Sequence, residues 1–315
     1  MTPLPPRVAL GDLGLDEGAV VLLRHALAVR APGDTLVVEG THPSLASHLR
    51  AWCRAEGHAI DLTDASAAVL TVGASHNDRA RTATRAGHAD PTRPDALSAR
   101  PDLSWGLAAR GAAVEAGSPA FAFALRERDT VWSDDAPRLY AMAAAAQWDP
   151  ATAIPWDAPR THDDALEDAV VQVMTYLVEN ETAALLVPAR FLSTLHPHFR
   201  EVMQLLAVQV ADEARHIEVF TRRMLLHRDA PGLSTAGGQA SLKTLVDATD
   251  FAEASFLLSV LGEGSFLSLL WFLHAVGPDP VTREVARRAA QDEARHVAFG
   301  VAHLAAHARH DPALL

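Results

Sequence analysis

One pentapeptide occurs twice in this chain and carries the residues best suited to metal chemistry. Asp-Glu-Ala-Arg-His spans residues 212–216 and recurs unchanged at residues 292–296. Each copy sets a glutamate and a histidine three residues apart, and positions i and i+3 share one face of a helix. Ionised carboxylates are costly to bury unless a metal or another partner compensates their charge. Because both copies lie in strongly apolar stretches, the repeat predicts a dinuclear metal site built from two Glu-x-x-His units.

A site of this kind also needs one glutamate from each of two other helices. Around residues 161–187 the apolar side chains follow one stripe of a helix. At about 100° per residue, Glu181 falls beside that stripe, whereas Glu179 falls nearly opposite to it. The sequence therefore predicts Glu181 as a ligand and Glu179 as a solvated or outer residue.

The fourth glutamate is a choice between Glu253 and Glu263, because the helix that carries them is apolar on every side. The separation along the chain between Glu181 and Glu213 nearly equals that between Glu263 and Glu293. Glu253 lies distinctly farther from Glu293. A two-fold arrangement of helical hairpins therefore favours Glu263.

Two glycines, Gly262 and Gly264, flank the favoured glutamate. Since glycine costs about 1 kcal/mol in a helix relative to alanine, a pair of them at this place needs a reason. The pair indicates either a need for space and backbone freedom beside the ligand or close helix packing.

The complete predicted set joins four carboxylates to two imidazoles, a combination that suits iron or manganese. Two iron ions are the predicted cofactors, with manganese as the alternative. The aspartates beside the ligands can accept the free ring N–H of a histidine, and the arginines can pair with those aspartates, although a surface salt bridge is the other interpretation. The predicted ligands are Glu181, Glu213, His216, Glu263, Glu293 and His296, and the predicted outer residues are Asp212, Arg215, Asp292 and Arg295.

Four long helices are predicted to position these residues. They cover approximately residues 161–187, 197–227, 242–276 and 280–310. Thr161 and Asp164 have the spacing of a capping box, with Asp in place of Glu, and Pro188 is expected to end the first helix. Asp279 and Pro280 supply an N-cap and a first-turn proline for the fourth. Because the pentapeptide recurs on the second and the fourth helix, the sequence predicts two similar helical hairpins.

Residues 251–277 form the longest apolar stretch and contain Glu253, Glu263 and His274. Their length would allow a membrane span, but acidic residues are rare inside membranes. We therefore expect a buried core helix. Trp148 and Trp156, which precede the helices, could cap the bundle or line an access channel, but packing is the expected role.

Length, charge and cysteine content narrow the class of protein. The chain has 315 residues, which suggests two domains. With 27 Lys and Arg against 39 Asp and Glu, the net charge is −12, which argues against binding to nucleic acid or to an anionic membrane surface. Cys53 is the only cysteine, so no intrachain disulfide is expected, and the first residues lack the basic and apolar segments of a signal peptide. We expect a cytoplasmic protein.

The sequence of residues 1–75 predicts a small α/β domain with the element order βαβαββ. Residues 76–150 are predicted to be a linker and a short pre-bundle segment, and residues 151–315 the metal-binding bundle. The α/β domain resembles the TusA-type sulfur carriers. The motifs that carry the resemblance are Gly14-Leu15, Pro32-Gly33-Asp34-Thr35-Leu36, Trp52-Cys53 and Gly57-His58.

The chain differs from this family at the position that bears the sulfur. The family bears its sulfur on a Cys-Pro at the start of the first helix, where this chain reads Asp16-Glu17-Gly18. Persulfide transfer needs a thiolate nucleophile. We therefore expect an interaction or lid module without sulfur chemistry, with Cys53 as a core residue.

At the ligand residues, the region 161–310 resembles the ferritin-like di-iron superfamily. The doubled Asp-Glu-x-Arg-His is especially like the hydroxylase subunits of bacterial multicomponent monooxygenases, and the plan is similar to ribonucleotide reductase small subunits and arylamine N-oxygenases. The resemblance implies an all-α, ferritin-like four-helix bundle in which glutamate-bridged irons activate dioxygen. The N-oxygenases carry a third histidine where this chain has Ala289. The reductase subunits need a tyrosine near the metals, whereas Tyr176 falls on a different side of its helix from Glu181.

The predicted function is a non-heme di-iron oxidase or oxygenase, with dioxygen, an unidentified small organic substrate and an external electron donor as partners. A homodimer is a possible assembly, and neither nucleic acid nor a membrane is an expected partner. The alternatives are a ferroxidase or other iron-handling protein, and a non-catalytic metal-binding interaction protein. His303, His307 and His310 also have helical metal spacing, but we expect them on a solvated polar face.

Overall fold

The computed structural model describes residues 5–62, 67–73 and 83–311. Two compact units share the chain. The first comprises residues 1–85 with 113–118, and the second comprises residues 86–112 with 119–315. Part of the predicted linker, residues 76–82, lies outside the described residues.

In its described residues, the first unit consists of a mixed sheet and two α-helices, in the predicted order βαβαββ. Strand β2 pairs in parallel with β1 and antiparallel with β4, and β4 pairs antiparallel with β3. Leucines from both helices and from β2 and β4 fill its core, and Cys53 is fully buried among them. The elements are β1 Arg7–Ala9, α1 Ala19–Leu27, β2 Thr35–Glu39, α2 Leu45–Glu56, β3 Ala59–Asp61 and β4 Ala67–Thr71, followed by a separate two-stranded antiparallel sheet of β5 Thr84–Arg85 and β6 Ala113–Val114.

The second unit is helical. Its longest helices pack in two pairs, α5 along α6 and α9 along α10. Its elements are α3 Arg128–Val131, α4 Ala136–Ala145, α5 Asp164–Leu192, α6 Arg200–Met224, α7 Ala236–Asp247, α8 Phe251–Ser255, a π-helical segment Phe256–Gly262, α9 Glu263–Val276 and α10 Pro280–His310.

Helix α5 differs from its prediction at both ends. Its N-cap is Asp163, whose side chain accepts from the backbone N–H of Leu166, so the expected capping role of Thr161 and Asp164 is wrong. The helix also continues through Pro188 to Leu192. Proline removes one helical hydrogen bond, but Pro188 and Phe191 are both buried, and packing of this last turn outweighs the local preference.

The single third helix predicted for residues 242–276 is wrong, because the helical structure there is interrupted between Asp247 and Phe251. Helix α7 ends at Asp247, and Asp250 then caps α8 by accepting from the backbone N–H groups of Ala252 and Glu253. The π-helical segment follows and ends directly before Glu263. Its backbone approaches α10 closely at Gly300, where an added Cβ would lie 2.5 Å from the Cβ of Ser259. Extra-wide turns of this kind are frequent at functional sites.

The apolar stretch that contains α8 and α9 is only partly buried. Within the described residues, Phe251–Val276 is long and apolar enough to cross a membrane by length and composition, with a mean hydropathy of 1.8. One face of α9 is buried through Glu263, Leu270 and Leu273, while Phe272 on another face is 58% exposed. The expectation of a wholly buried core helix is therefore wrong for the outer face of α9.

A buried ion-pair network holds α5, α6 and α10 together. Arg223 on α6 is fully buried, and its guanidinium donates to both carboxylate oxygens of Glu167 at 2.7 and 2.9 Å. It also donates to Asp279 at 2.8 Å and to the hydroxyl of Thr282 at 2.8 Å. Asp279 is the N-cap of α10, as predicted, and accepts from the Thr282 backbone N–H. This network holds the C-terminal end of α6 against the N-terminal end of α10, and these are the two helices that carry the pentapeptides.

The segment 86–112 packs within the helical unit. Arg110 is 3% exposed and pairs with Glu201 on α6, with nitrogen–oxygen distances of 2.6 and 2.8 Å. His198, just before α6, accepts from the backbone N–H of Ser98 at 2.9 Å. These buried contacts tie a stretch that the sequence predicts as a linker to the start of α6.

Candidate metal centre

The structure brings the six predicted ligand side chains together from four helices. Helix α5 supplies Glu181, α6 supplies Glu213 and His216, α9 supplies Glu263, and α10 supplies Glu293 and His296. They form two groups in which one ligand atom per residue lies within 4.8 Å of the others. One group is Glu181, Glu213, His216 and Glu293, the other is Glu213, Glu263, Glu293 and His296, and all six are buried.

Two of the glutamates belong to both groups. His216 Nδ1 lies 3.2 Å from Oε2 of Glu213 and 3.2 Å from Oε1 of Glu293. His296 Nδ1 lies 3.1 Å from Oε1 of Glu213 and 3.3 Å from Oε2 of Glu293. Each shared carboxylate therefore turns one oxygen toward each histidine.

The other two glutamates each belong to one group. Glu181 Oε2 lies 3.4 Å from His216 Nδ1, and Glu263 Oε1 lies 4.0 Å from His296 Nδ1. The arrangement has an approximate two-fold relation, since each group holds one histidine and one unshared glutamate. This relation follows from the repeat of the pentapeptide on α6 and α10.

The two pentapeptides are cross-linked through their aspartates. Nε2 of His216 lies 3.2 Å from Oδ2 of Asp292, and Nε2 of His296 lies 3.3 Å from Oδ2 of Asp212. Each aspartate thus serves the histidine of the other copy. Donation from Nε2–H to the aspartate would leave Nδ1, which faces the glutamates, available to bind a metal ion.

The predicted arginines complete this outer layer. Arg215 and Arg295 each donate to the aspartate three residues earlier, and Arg215 also donates to Asp292 at 2.9 Å. The side chains of both arginines are about nine-tenths buried, so the alternative of a solvated surface salt bridge does not describe them.

Three residues that contact the centre were missed by sequence reasoning. The indole N–H of Trp148 donates to Asp292 at 2.8 Å, and the side-chain amide of Gln147 donates to Asp212 at 2.9 Å. Trp148, for which packing is the expected role, therefore also orients an aspartate. Both residues lie in an irregular segment without periodicity, which offers no signal in the sequence.

The third missed residue, Gln209, could have been found from its spacing in the sequence. It lies four residues before Glu213 on the same face of α6, and its amide donates to Oε1 of Glu263 at 2.9 Å. The corresponding position in the second copy is Ala289, which is buried and apolar. The two halves of the centre therefore differ at this position.

Burial and the mutual repulsion of the carboxylates shift the pKa values of the clustered side chains. Burial, reinforced by the charges of Glu213 and Glu293, raises the pKa of Glu181 well above its usual range. Burial and the charge of Glu293 raise the pKa of Glu263 in the same way. Burial disfavours charged His216, but the carboxylates around it prevail and raise its pKa well above normal. Metal ions would have to displace these protons on binding.

The glutamates and histidines that were considered but not predicted as ligands lie outside the two ligand groups. Glu253 is exposed on α8, and Glu179 on α5 is half-buried. The expectation that His303 faces solvent is wrong: it is 1% exposed, packs against Phe251 and Phe299, and its Nε2 lies 2.6 Å from the Thr130 carbonyl oxygen. Burial lowers its pKa. His310, at the end of the same helix, is exposed.

No protein-family description and no curated protein matches this chain in sequence.

Proposed function

We propose that this protein is a non-heme di-iron oxidase or oxygenase that activates dioxygen to oxidise a small organic molecule. The observation that carries the proposal is the sharing of Glu213 and Glu293 between the two ligand groups. Two carboxylates with one oxygen directed to each side would hold a pair of ions close together. On this proposal α5, α6, α9 and α10 form a ferritin-like four-helix bundle around the ions.

The donor set fits two divalent ions of the iron or manganese type. Four carboxylates balance the charge of two such ions, and carboxylate with imidazole suits these metals. Oε2 of Glu263 is buried and accepts no hydrogen bond of normal geometry among the described residues. A buried carboxylate oxygen without a partner costs free energy, and a metal ion would remove that cost.

The chain's own residues have separable tasks in this proposal. Glu213 and Glu293 would bridge the ions, and Glu181 and Glu263 would each hold one. Asp292 and Asp212 fix the tautomer and orientation of the histidines, and Gln209 holds one oxygen of Glu263 in place. When bound, the iron pair supplies the electron transfer to dioxygen that protein side chains lack. An external electron donor would restore the reduced metals.

Oxygen uptake tests the proposal against iron storage. Full-length protein loaded anaerobically with iron(II) should consume about one dioxygen per pair of irons, because each pair supplies two electrons. Glu213→Gln removes a bridging carboxylate and should abolish the rapid uptake. Glu218→Gln, an exposed position on the same helix, is the matched control and should leave it unchanged.

Two outcomes would contradict the proposal. Continued uptake of hundreds of irons per chain would favour the alternative of a ferroxidase that feeds iron storage. Equal uptake by the Glu213→Gln variant and the control would place the oxygen chemistry elsewhere, and would leave a metal-binding interaction protein as the better description of the centre.

For the first unit we propose a TusA-like domain that serves as an interaction module. Its element order βαβαββ supports the likeness. The position of the family's sulfur-bearing cysteine is occupied by Asp16 and Glu17, which lie in a 3₁₀ turn directly before α1. Neither residue can carry a persulfide, so the proposal includes no sulfur transfer.

A further inference from the structure

Helix α9 has one side that is exposed and uncharged. Within Glu263–Val276, the exposed positions follow one another at intervals of three and four residues, which places them on one side of the helix. Residues 264–276 contain no aspartate, glutamate, lysine or arginine. The outer face of α9 consists of Ser265, Ser268, Trp271, Phe272, Ala275 and Val276, and Leu261 extends it from the π-helical segment.

The area of this face matches one side of a stable protein interface. Leu261, Trp271, Phe272 and Val276 are each between 44% and 59% exposed. At roughly 200 Å² for a large side chain, they offer about 400 Å² of apolar surface on each copy of the chain. A specific interface buries about 800 Å² per partner, of which somewhat more than half is apolar. A second copy would therefore cover the outer face with an interface of ordinary size and composition.

The absence of charge makes this face suitable for contact between two copies. The chain carries a net charge of −12, so two copies repel each other over much of their surface. Contact through the outer face of α9 brings no pair of like charges from residues 264–276 together. The face also lacks charged groups that would recognise a partner of opposite charge.

A lipid surface is the other occupant that an apolar helix could take. Helices that lie in a membrane interface carry lysine or arginine on their polar side, and residues 264–276 contain neither. The opposite side of α9 is buried through Glu263, Leu270 and Leu273. A membrane span would have to pull Glu263 away from the other predicted ligands. These features favour a protein surface over lipid.

The order of small and large side chains on the outer face fits an antiparallel pair of α9 helices. Intervals of three and four residues form the seam along which two helices pack. In a pair centred between residues 268 and 269, Ser265 of one copy lies opposite Phe272 of the other, and Leu261 lies opposite Val276. The ring of Phe272 would then occupy the space above the small Ser265. Because such a pair is two-fold, each contact is made twice.

We infer that this protein forms a two-fold dimer in which the outer faces of two α9 helices pack against each other in antiparallel orientation. Phe272 supplies the main contact, because it lies in the middle of the face. The dimer covers a stretch that is apolar enough to cross a membrane and is only partly buried within one chain. The inference goes beyond the proposed function and does not depend on bound metal.

Analytical ultracentrifugation of the full-length protein tests the interface. The wild type should sediment as a dimer at micromolar concentration. Phe272→Glu should raise the dissociation constant of the dimer at least 100-fold, because it would bury two unpaired carboxylates, one from each copy. Leu186→Glu introduces the same charge at a similarly exposed leucine on α5 and should stay within threefold of wild type. Far-ultraviolet circular dichroism checks that both variants keep the helix content of the wild type.

An exchange of side-chain size tests the register. Ser265→Phe sets two phenylalanine rings opposite each other and should weaken the dimer at least tenfold. Phe272→Ser removes the main contact and should weaken it by a similar factor. The double variant that carries both changes again has one large and one small side chain at each contact, so it should return to within threefold of wild type.

Cross-linking tests the antiparallel orientation. Ser268→Cys places a thiol beside the two-fold axis, so mild oxidation should join two copies by a disulfide. Ser265→Cys should not cross-link, because its two thiols would be offset by seven residues, about 10 Å along the helices, which exceeds the reach of a disulfide. Cys53 is fully buried and does not compete.

Several results would overturn the inference. A monomeric wild type, or a dimer that Phe272→Glu leaves intact, would show that α9 is not the interface. Equal cross-linking of Ser265→Cys and Ser268→Cys would contradict the antiparallel pairing. Flotation of the wild type with phosphatidylcholine vesicles, lost in Phe272→Glu, would assign the face to lipid. None of these results changes the expected uptake of iron, so a failure here is distinguishable from a failure of the proposed function.

Discussion

At the residue scale, the main finding is that the two copies of the pentapeptide depend on each other. Each aspartate orients the histidine of the other copy, at 3.2 and 3.3 Å, and each pentapeptide glutamate faces both histidines. The types and spacing of the residues predict the ligands, because Glu-x-x-His fixes one face of a helix. The crossed pairing could not be predicted, because it depends on how α6 and α10 are placed against each other.

The lone cysteine should be chemically inert in the folded protein. Burial raises the pKa of Cys53 to about 11, so only about one thiol in ten thousand would be ionised at pH 7. We expect no persulfide transfer from a cysteine desulfurase and no alkylation by iodoacetamide, as read by intact-mass spectrometry. Protein unfolded in guanidinium should take up one alkyl group per chain. Stoichiometric sulfur on native Cys53 would overturn this prediction.

His198 should make the folded protein less stable as the pH falls below 6.5. Burial lowers its pKa from 6.5 to about 4, whereas the unfolded chain keeps the ordinary value. Below pH 6.5 the unfolded state therefore binds more protons, and the free energy of unfolding should fall by about 3 kcal/mol between pH 6.5 and pH 4. His198→Gln keeps an acceptor for Ser98 and should lose that part of the pH dependence in urea titrations. An unchanged pH profile in the variant would contradict this role.

At the scale of elements, helix ends that depend on local chemistry were predictable and those set by packing were not. Helix α10 spans Pro280–His310 as expected, since Asp279 caps it and Pro280 starts it. The last turn of α5 passes through Pro188 because its side chains are buried. The division of the third predicted helix depends on the Asp250 cap and on the close approach of the π-helical segment to Gly300, and uniform apolarity in the sequence hides both.

The ion-pair network around Arg223 is the element-scale feature with the largest expected effect on stability. Arg223→Met would leave Glu167 and Asp279 buried without their shared cation. Breaking a buried pair by removing one partner costs about 3–5 kcal/mol, and denaturant unfolding of the variant should show a loss of this size. Arg228→Met, which breaks exposed pairs to Asp164 and Asp168 on α5, is the control and should change stability far less. Equal losses in both variants would contradict the network's importance.

At the scale of the whole molecule, the chain combines a small α/β unit with a larger helical unit that holds the candidate metal centre. The doubled pentapeptide alone predicted a site assembled from distant parts of the chain. The outer contacts from Gln147 and Trp148 could not be foreseen, because an irregular segment carries no periodicity from which a direction can be read. A small cavity bounded by Glu181, Glu263 and Glu293 likewise forms only where α5, α7 and α9 come together.

Metal stoichiometry tests the central claim most directly. Full-length protein titrated anaerobically with iron(II), and analysed for bound metal, should saturate at two ions per chain. Glu263→Gln should lower the value to one, since it removes a ligand from one group only, whereas the exposed control Glu253→Gln should remain at two. Saturation of the wild type at one ion, or loss of an ion in Glu253→Gln but not in Glu263→Gln, would contradict the dinuclear centre described here.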